Sequence, residues 1–228
     1  MHALIVVSHP HESSLTHALA QAVAEGIRQQ GQHSAEIADL AREGFDPRFS
    51  AADVAAFNQT APLPADVLAE QTRIDRADAL VLVFPIYWWT MPGLLKGWID
   101  RVFSNGWAYA DGGEGKVIKK LGHLPIHLVA LGGADRRTFE KHGYAQSWNT
   151  QIAHGIFDYC GAPVLTNAAL MLPDLGSAEA ALQQAKDIGR NVFSRRSPAA
   201  KYLFRRVNRS LRNKRDRISI SPAIPRNT

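Results

Sequence analysis

"VFPIYWWTMPGLLKGWIDRVF", residues 83–103, begins as a buried strand, ends as a helix, and crowds three tryptophans and a tyrosine around the change-over. Pro85 marks the end of the strand. Pro92 stands at the start of the helix, where its missing N–H costs little. The six residues between them, 86–91, lie past the sheet and are expected at the surface. Large aromatics on an exposed loop are costly unless something covers them, and either a flat ligand or a second protein surface would serve. On the helix, Leu94, Leu95, Trp98, Ile99 and Val102 recur at the spacing of a core-facing stripe.

Outward from this stretch, short apolar runs recur at 3–7, 34–40, 79–84, 126–131 and 164–171. The first, third and fourth are nearly continuous, the pattern of parallel strands covered on both faces. Helix-period segments fall between or after them, at about 14–31, 65–77, 93–104, 146–160 and 177–194. Strand alternating with helix predicts an α/β chain: a doubly wound, flavodoxin-like sheet of five parallel strands in the order 2-1-3-4-5. In such sheets a ligand binds beyond the carboxyl ends of the strands, near the switch between the first and third.

The chain has 228 residues and a formal net charge of +5, but the charge is divided. Residues 1–194 carry 15 Lys and Arg against 20 Asp and Glu, a net −5; residues 195–228 carry 11 against the single Asp216, a net +10. Two parts are therefore expected: a flavodoxin-like domain at 1–194 and a basic extension at 195–228. The single cysteine, Cys160, excludes an internal disulfide framework and fits a reducing compartment. No apolar run approaches the roughly 18 residues of a membrane span. The amino terminus lacks the basic region of a signal peptide. A cytoplasmic setting is expected, and no metal site.

Three loops converge on the switch point. The first, "SHPHESSLTHAL" (8–19), opens a helix with hydroxyl residues, and His9, Ser14 and Thr16 offer donors beside free backbone N–H groups. It has neither a GxGxxG nor a Walker glycine-lysine pattern. Phosphate binding and ordinary N-capping both remain open there. The second is the opening stretch. An isoalloxazine ring, flat and edged with groups that backbone amides can bond, would cover its aromatics. A subunit interface would as well, and the two are compatible. The third, "LGGADRRTFEKHGY" (131–144), places Gly132 and Gly133 where the backbone can approach a ligand, with His142 and Tyr144 shortly after as proton or hydrogen-bond donors.

"HPHESSLT", "AEQTRIDRADALVLVFPIYWWTMPGLLKGWIDRVFSNGWAY" and "LGGADRRTF", in that order, resemble the flavin-dependent NAD(P)H:quinone oxidoreductases of the DT-diaphorase type. That group includes modulators of drug activity and the ancillary flavoproteins of potassium efflux systems. The resemblance covers about residues 1–175 and implies a homodimer with flavin at its interface and two-electron reduction of quinones by NADPH or NADH. It implies a phosphate contact at His9 and a run at Ser14, Leu15 and Thr16, where Leu and Thr depart from the family's aromatic and Asn. It implies cofactor-binding roles for Gln71, for Pro85, Ile86, Tyr87, Trp88 and Trp89, and for Gly132 and Gly133. Tyr87 replaces the family's usual glutamine. An aromatic substrate wall falls on Trp107 and Tyr109. The family's tyrosine and histidine after the glycine pair are matched least closely: Thr138 stands near the first, and His142 and Tyr144 near the second. The last two are the catalytic candidates.

The implied cycle is ping-pong, with hydride passing from nicotinamide to flavin N5 and on to a quinone that uses the same slot. FAD is the expected flavin, on the length beyond the core, with FMN the alternative. Two other functions remain open: a regulatory subunit docked on a membrane transporter, and a flavodoxin-like one-electron carrier. In the extension, Leu203, Phe204, Val207 and Leu211 form a stripe between Arg205, Arg206, Arg209, Arg212 and Lys214. This basic amphipathic helix would lie on an anionic membrane or membrane protein, or pack on the acidic body or the partner subunit. It has no recognisable nucleic-acid module, so nucleic acid is not an expected partner.

Overall fold

Alternate residues of the central strands feed two separate cores, which fixes a sheet between two helical layers. In the computed structural model, which describes residues 1–194, Leu4 and Val6 of β1 (His2–Val7) face one core while Ala3, Ile5 and Val7 face the other. β2 (Ser34–Asp39) and β3 (Ala79–Pro85) flank β1 in parallel, with Ala3 opposite both Ala35 and Ala79. β6 (Ile126–Gly132) pairs with β3, and β7 (Val164–Met171) with β6. The order is β2-β1-β3-β6-β7. It is the expected five-stranded parallel sheet, with an antiparallel hairpin of β4 (Tyr109–Asp111) and β5 (Val117–Lys119) inserted in the chain but outside the sheet.

One face is covered by α1 (Leu15–Arg28) and α8 (Ala178–Asn191). They meet through glycines: a Cβ on Gly26 would lie 2.1 Å from the Lys186 carbonyl oxygen, and one on Gly189 2.2 Å from that of Val23. The other face is covered by α3 (Ala65–Asp75), α4 (Gly93–Val102), and α6 (Tyr144–Trp148) with the π-helical turns that continue it over Asn149–Asp158. Leu95, Trp98, Ile99 and Val102 are buried in that core, as their spacing predicts. Trp98 donates its indole N–H to Glu70 Oε2 at 2.8 Å, which locks α4 to α3.

Three short helices complete the described residues: α2 (Ala51–Phe57), α5 (Arg136–Lys141) and α7 (Leu172–Leu175). A capping box in which Ser50 and Asp53 bond reciprocally starts α2. Arg101 on α4 then holds this segment down, bonding Asp53, Asp66 and the Asp46 carbonyl. No helix among the described residues is long and apolar enough to cross a membrane. The basic amphipathic helix expected in the extension lies outside the described residues.

Candidate functional site

The three loops expected at the switch point lie at the carboxyl ends of β1, β3 and β6. The second is the most constrained. Tyr87 and Thr90 exchange both backbone hydrogen bonds at 3.0 Å, so Trp88 and Trp89 occupy the centre of a two-residue turn. Both have positive φ, 47° and 67°. That left-handed backbone is what a type I′ turn demands and what Asn and Gly usually supply. For a bulky residue it is strained by roughly 1–2 kcal/mol.

What holds the turn is aromatic packing on its inner side. Trp89 stacks on Tyr144 with centroids 4.0 Å apart and planes 8° from parallel, and Phe139 closes in at 6.4 Å. Phe84, at the end of β3, stacks on Trp148 beneath. Trp88 has no such cover and is 91% exposed. The opening stretch is therefore only partly at the surface. Tyr87, Trp88 and Thr90 are exposed, Ile86 and Trp89 are half-buried, and Met91 is buried.

Beside the turn lies a hollow of about 230 Å³ lined by Ile86, Trp88, Trp89, Gly132, Gly133 and Met171, among others. The two glycines differ. A Cβ on Gly132 would lie 2.3 Å from Met171 Sδ, so that position is needed for packing, whereas one on Gly133 would meet nothing within 4 Å. Gly133 is thus where the backbone is open to a ligand. Pro85, last in β3, is buried, and the Ile86 N–H donates to the Leu131 carbonyl at 2.8 Å, joining loops two and three.

In the first loop, His9 Nδ1 accepts from the His11 N–H at 3.0 Å. Burial pushes the His9 ring below the ordinary histidine value, partly offset by the His11 backbone, and the neighbouring His17 and His11 act in the same direction as burial. Ser14 caps α1, Leu15 is half-buried, and Thr16 is buried beneath it. Ser8 is buried and its hydroxyl oxygen has no partner among the described residues. A buried hydroxyl without a partner costs energy unless a ligand or water satisfies it.

The remaining candidates lie elsewhere. Gln71 is buried and donates its amide to the Val102 carbonyl and Ser104 Oγ, fastening the end of α4. Trp107 donates to Asp75 at 3.0 Å and packs edge-on against Phe103. Tyr109 meets Tyr159 edge-on at 5.3 Å; burial, then Tyr159 and Cys160, push its hydroxyl above the ordinary tyrosine value. Neither Trp107 nor Tyr109 lines the hollow beside Gly133. His142 is exposed where α5 ends, its ring 5.7 Å from Tyr144, whose own ring is committed to Trp89.

Sequence reasoning passed over one group at this site. Ser14 Oγ lies 2.8 Å from His17 Nδ1, and His17 Nε2 lies 2.8 Å from Asp39 Oδ2. His17 was within reach, since it follows Ser14 by one helical turn. Asp39 becomes its partner only through the β1–β2 register.

These features define a flavodoxin-like fold whose candidate site lies at the topological switch point. A family model described as "Flavodoxin-like fold" matches residues 1–191. Within that fold, the chain belongs to the flavin-dependent NAD(P)H:quinone oxidoreductase family. It is 32% identical over 194 residues to a ribosyldihydronicotinamide dehydrogenase-like protein of Penicillium crustosum, covering 72% of this chain and 71% of that one. An NAD(P)H:quinone oxidoreductase from Methanothermobacter marburgensis superposes with a TM-score of 0.74 at 30% identity, over 84% of this chain and 98% of that one. The general stress protein 14 of Treponema denticola, solved in complex with FMN, superposes at 0.54 with 26% identity, over 84% and 95%.

Proposed function

We propose that this chain is an NAD(P)H-dependent quinone reductase that holds a flavin across its three loops. The carrying observation is the strained Trp88–Trp89 turn, which displays an uncovered indole beside the open backbone of Gly133. Strain of this kind persists where the surroundings hold it for a purpose. When bound, a flavin would supply the hydride chemistry of a ping-pong exchange between NADPH or NADH and a quinone.

The residues divide the work of holding it. His9, Ser14 and the N–H groups of Leu15 and Thr16 would hold its phosphate. Pro85, Ile86, Tyr87, Trp88, Trp89, Gly132 and Gly133 would border its ring. Gln71 acts from a distance through the end of α4. His142, exposed at the end of α5, would balance charge on the ring; Tyr144 steadies the turn from below and offers its hydroxyl. The flavin is read as FAD. FMN is the second reading, favoured by the FMN complex of the Treponema relative.

Trp107 and Tyr109 stand away from the hollow of their own chain, so a slot that includes them needs a second copy. The chain is accordingly read as a homodimer in which each copy supplies this aromatic wall to the other. Exposed Phe49, Val54, Phe57 and Leu68 offer apolar surface for that pairing. Anaerobic addition of NADPH to the yellow protein tests the function. Rapid bleaching, restored by a quinone, is expected; a flavin that stays oxidised would overturn it in favour of a one-electron carrier.

A further inference from the structure

Ser14, His17 and Asp39 form a chain of hydrogen bonds that crosses from α1 to the end of β2. Asp39 is buried, and its second oxygen accepts from the Arg42 N–H at 3.2 Å. The His17 side chain is only 13% exposed. A carboxylate can only accept hydrogen bonds, so neutral His17 carries its proton on Nε2, toward Asp39. Nδ1 is then an acceptor and takes the Ser14 hydroxyl proton. The Ser14 oxygen already accepts from the His17 backbone N–H at 3.3 Å. In this state the hydroxyl has no proton to offer outward.

A second proton on His17 reverses the bond. Nδ1–H now donates to Ser14 Oγ, which accepts twice, and the hydroxyl proton must turn elsewhere. The mouth of the loop is the direction left to it.

We infer that His17 is a positioning residue for the flavin phosphate: it decides whether Ser14 can donate to that phosphate, and so ties retention of a phosphorylated flavin to its own protonation. The inference rests on the proposed flavin reading. Ser8 stands on the same loop with a buried hydroxyl that has no partner among the described residues. Other groups face this one. The His9 ring lies 6.2 Å from His17 and 5.9 Å from His11, and Glu12 and Arg42 line the adjoining hollow with Asp39. His9 and His11 lie close enough to produce a similar effect, so the test must separate them from His17.

The full-length chain is titrated with FMN, FAD and riboflavin, which lacks a phosphate, at pH 8.0 and pH 5.5, with flavin fluorescence as the readout. His17→Gln keeps a donor for Asp39 and an acceptor for Ser14 but takes up no proton. Ser14→Ala removes the hydroxyl itself. A charge-assisted hydrogen bond gained on acidification corresponds to about a tenfold fall in Kd. Wild-type FMN and FAD are expected to tighten about tenfold more than either variant between the two pH values, with riboflavin unchanged. The second ionisation of the FMN phosphate, near pH 6, is common to all proteins and cancels in the comparison. A His17→Gln profile that matches wild type would assign the effect to His9 or His11 and overturn the inference. A riboflavin profile that follows FMN would also overturn it, because the coupling would then not run through phosphate. A chain that binds no flavin at either pH overturns the flavin reading, and this inference with it.

Discussion

Replacing Trp88 by Asn should move stability and flavin affinity in opposite directions. The indole is 91% exposed, so its removal forfeits almost no burial in the flavin-free chain. Its backbone sits at φ 47°, where a bulky residue is strained by roughly 1–2 kcal/mol and Asn is well tolerated. Unfolding of the flavin-stripped variant should therefore cost about 1 kcal/mol more than wild type, and its melting temperature should rise by about 2–4 °C for a chain of this size. The loaded protein should show the reverse. One indole face covering about 80 Å² of flavin contributes about 2 kcal/mol, or roughly thirtyfold in Kd. Trp88→Ala separates the two effects: it keeps a Cβ on the left-handed backbone, so stability should stay put while flavin retention and turnover fall together. Denaturant unfolding of stripped protein and fluorescence titration with flavin supply both numbers. If Trp88→Asn loses about 1 kcal/mol when flavin-free, the indole is packed in solution and the strain argument fails. If Trp88→Ala keeps full flavin occupancy and wild-type turnover, the ring is not cradled there.

His142→Ala should lower quinone turnover more than flavin affinity; steady-state rates that the substitution leaves unchanged would remove it from the mechanism. Gly189→Ala should cost about 2–3 kcal/mol, because the new Cβ meets the Val23 carbonyl, which is backbone and cannot turn aside. A denaturation midpoint within error of wild type would show that the two helices are not in that contact. His127 donates to or accepts from Thr166 Oγ1 at 2.8 Å through Nδ1, and burial pushes its ring down to about 4. The unfolded chain takes up a proton near pH 6.5 that the folded one refuses until about pH 4. Its contribution is thus complete above pH 6.5 and is lost as the pH falls toward 4, on the order of 2 kcal/mol by pH 4.5. His127→Leu should flatten that slope in urea titrations at pH 4.5 and 7.

The sheet was legible because its strands are bare apolar runs, and runs such as 79–84 have no competing reading once helical periods surround them. The short elements were not. The three-residue strands Tyr109–Asp111 and Val117–Lys119 offer no period to detect around a glycine-rich turn. α2 escaped notice although Ser50 and Asp53 carry a capping-box spacing, because only seven residues follow it. The expected helix at 146–160 opens two residues earlier and becomes π-helical from Asn149, a change of winding that side-chain pattern does not encode. At the site, the switch-point loops could be read from strand order alone. The roles of individual tryptophans could not: Trp88, Trp89 and Trp98 are alike as letters, yet one is displayed, one stacks and one is buried on Glu70. That division depends on where Tyr144 and Glu70 arrive from distant parts of the chain.

The glycine contact between α1 and α8 also sets a schedule for synthesis. Glu25 and Lys186, which pair across it, are 161 residues apart. At about 5–20 residues per second, a ribosome that has finished α1 needs roughly 10–30 s to deliver α8. For all that time the part of the apolar sheet face that α8 will cover lies open in the growing chain. The nascent protein must therefore be shielded until α8 emerges, and a chain cut short before residue 178 would leave the ribosome with that face uncovered.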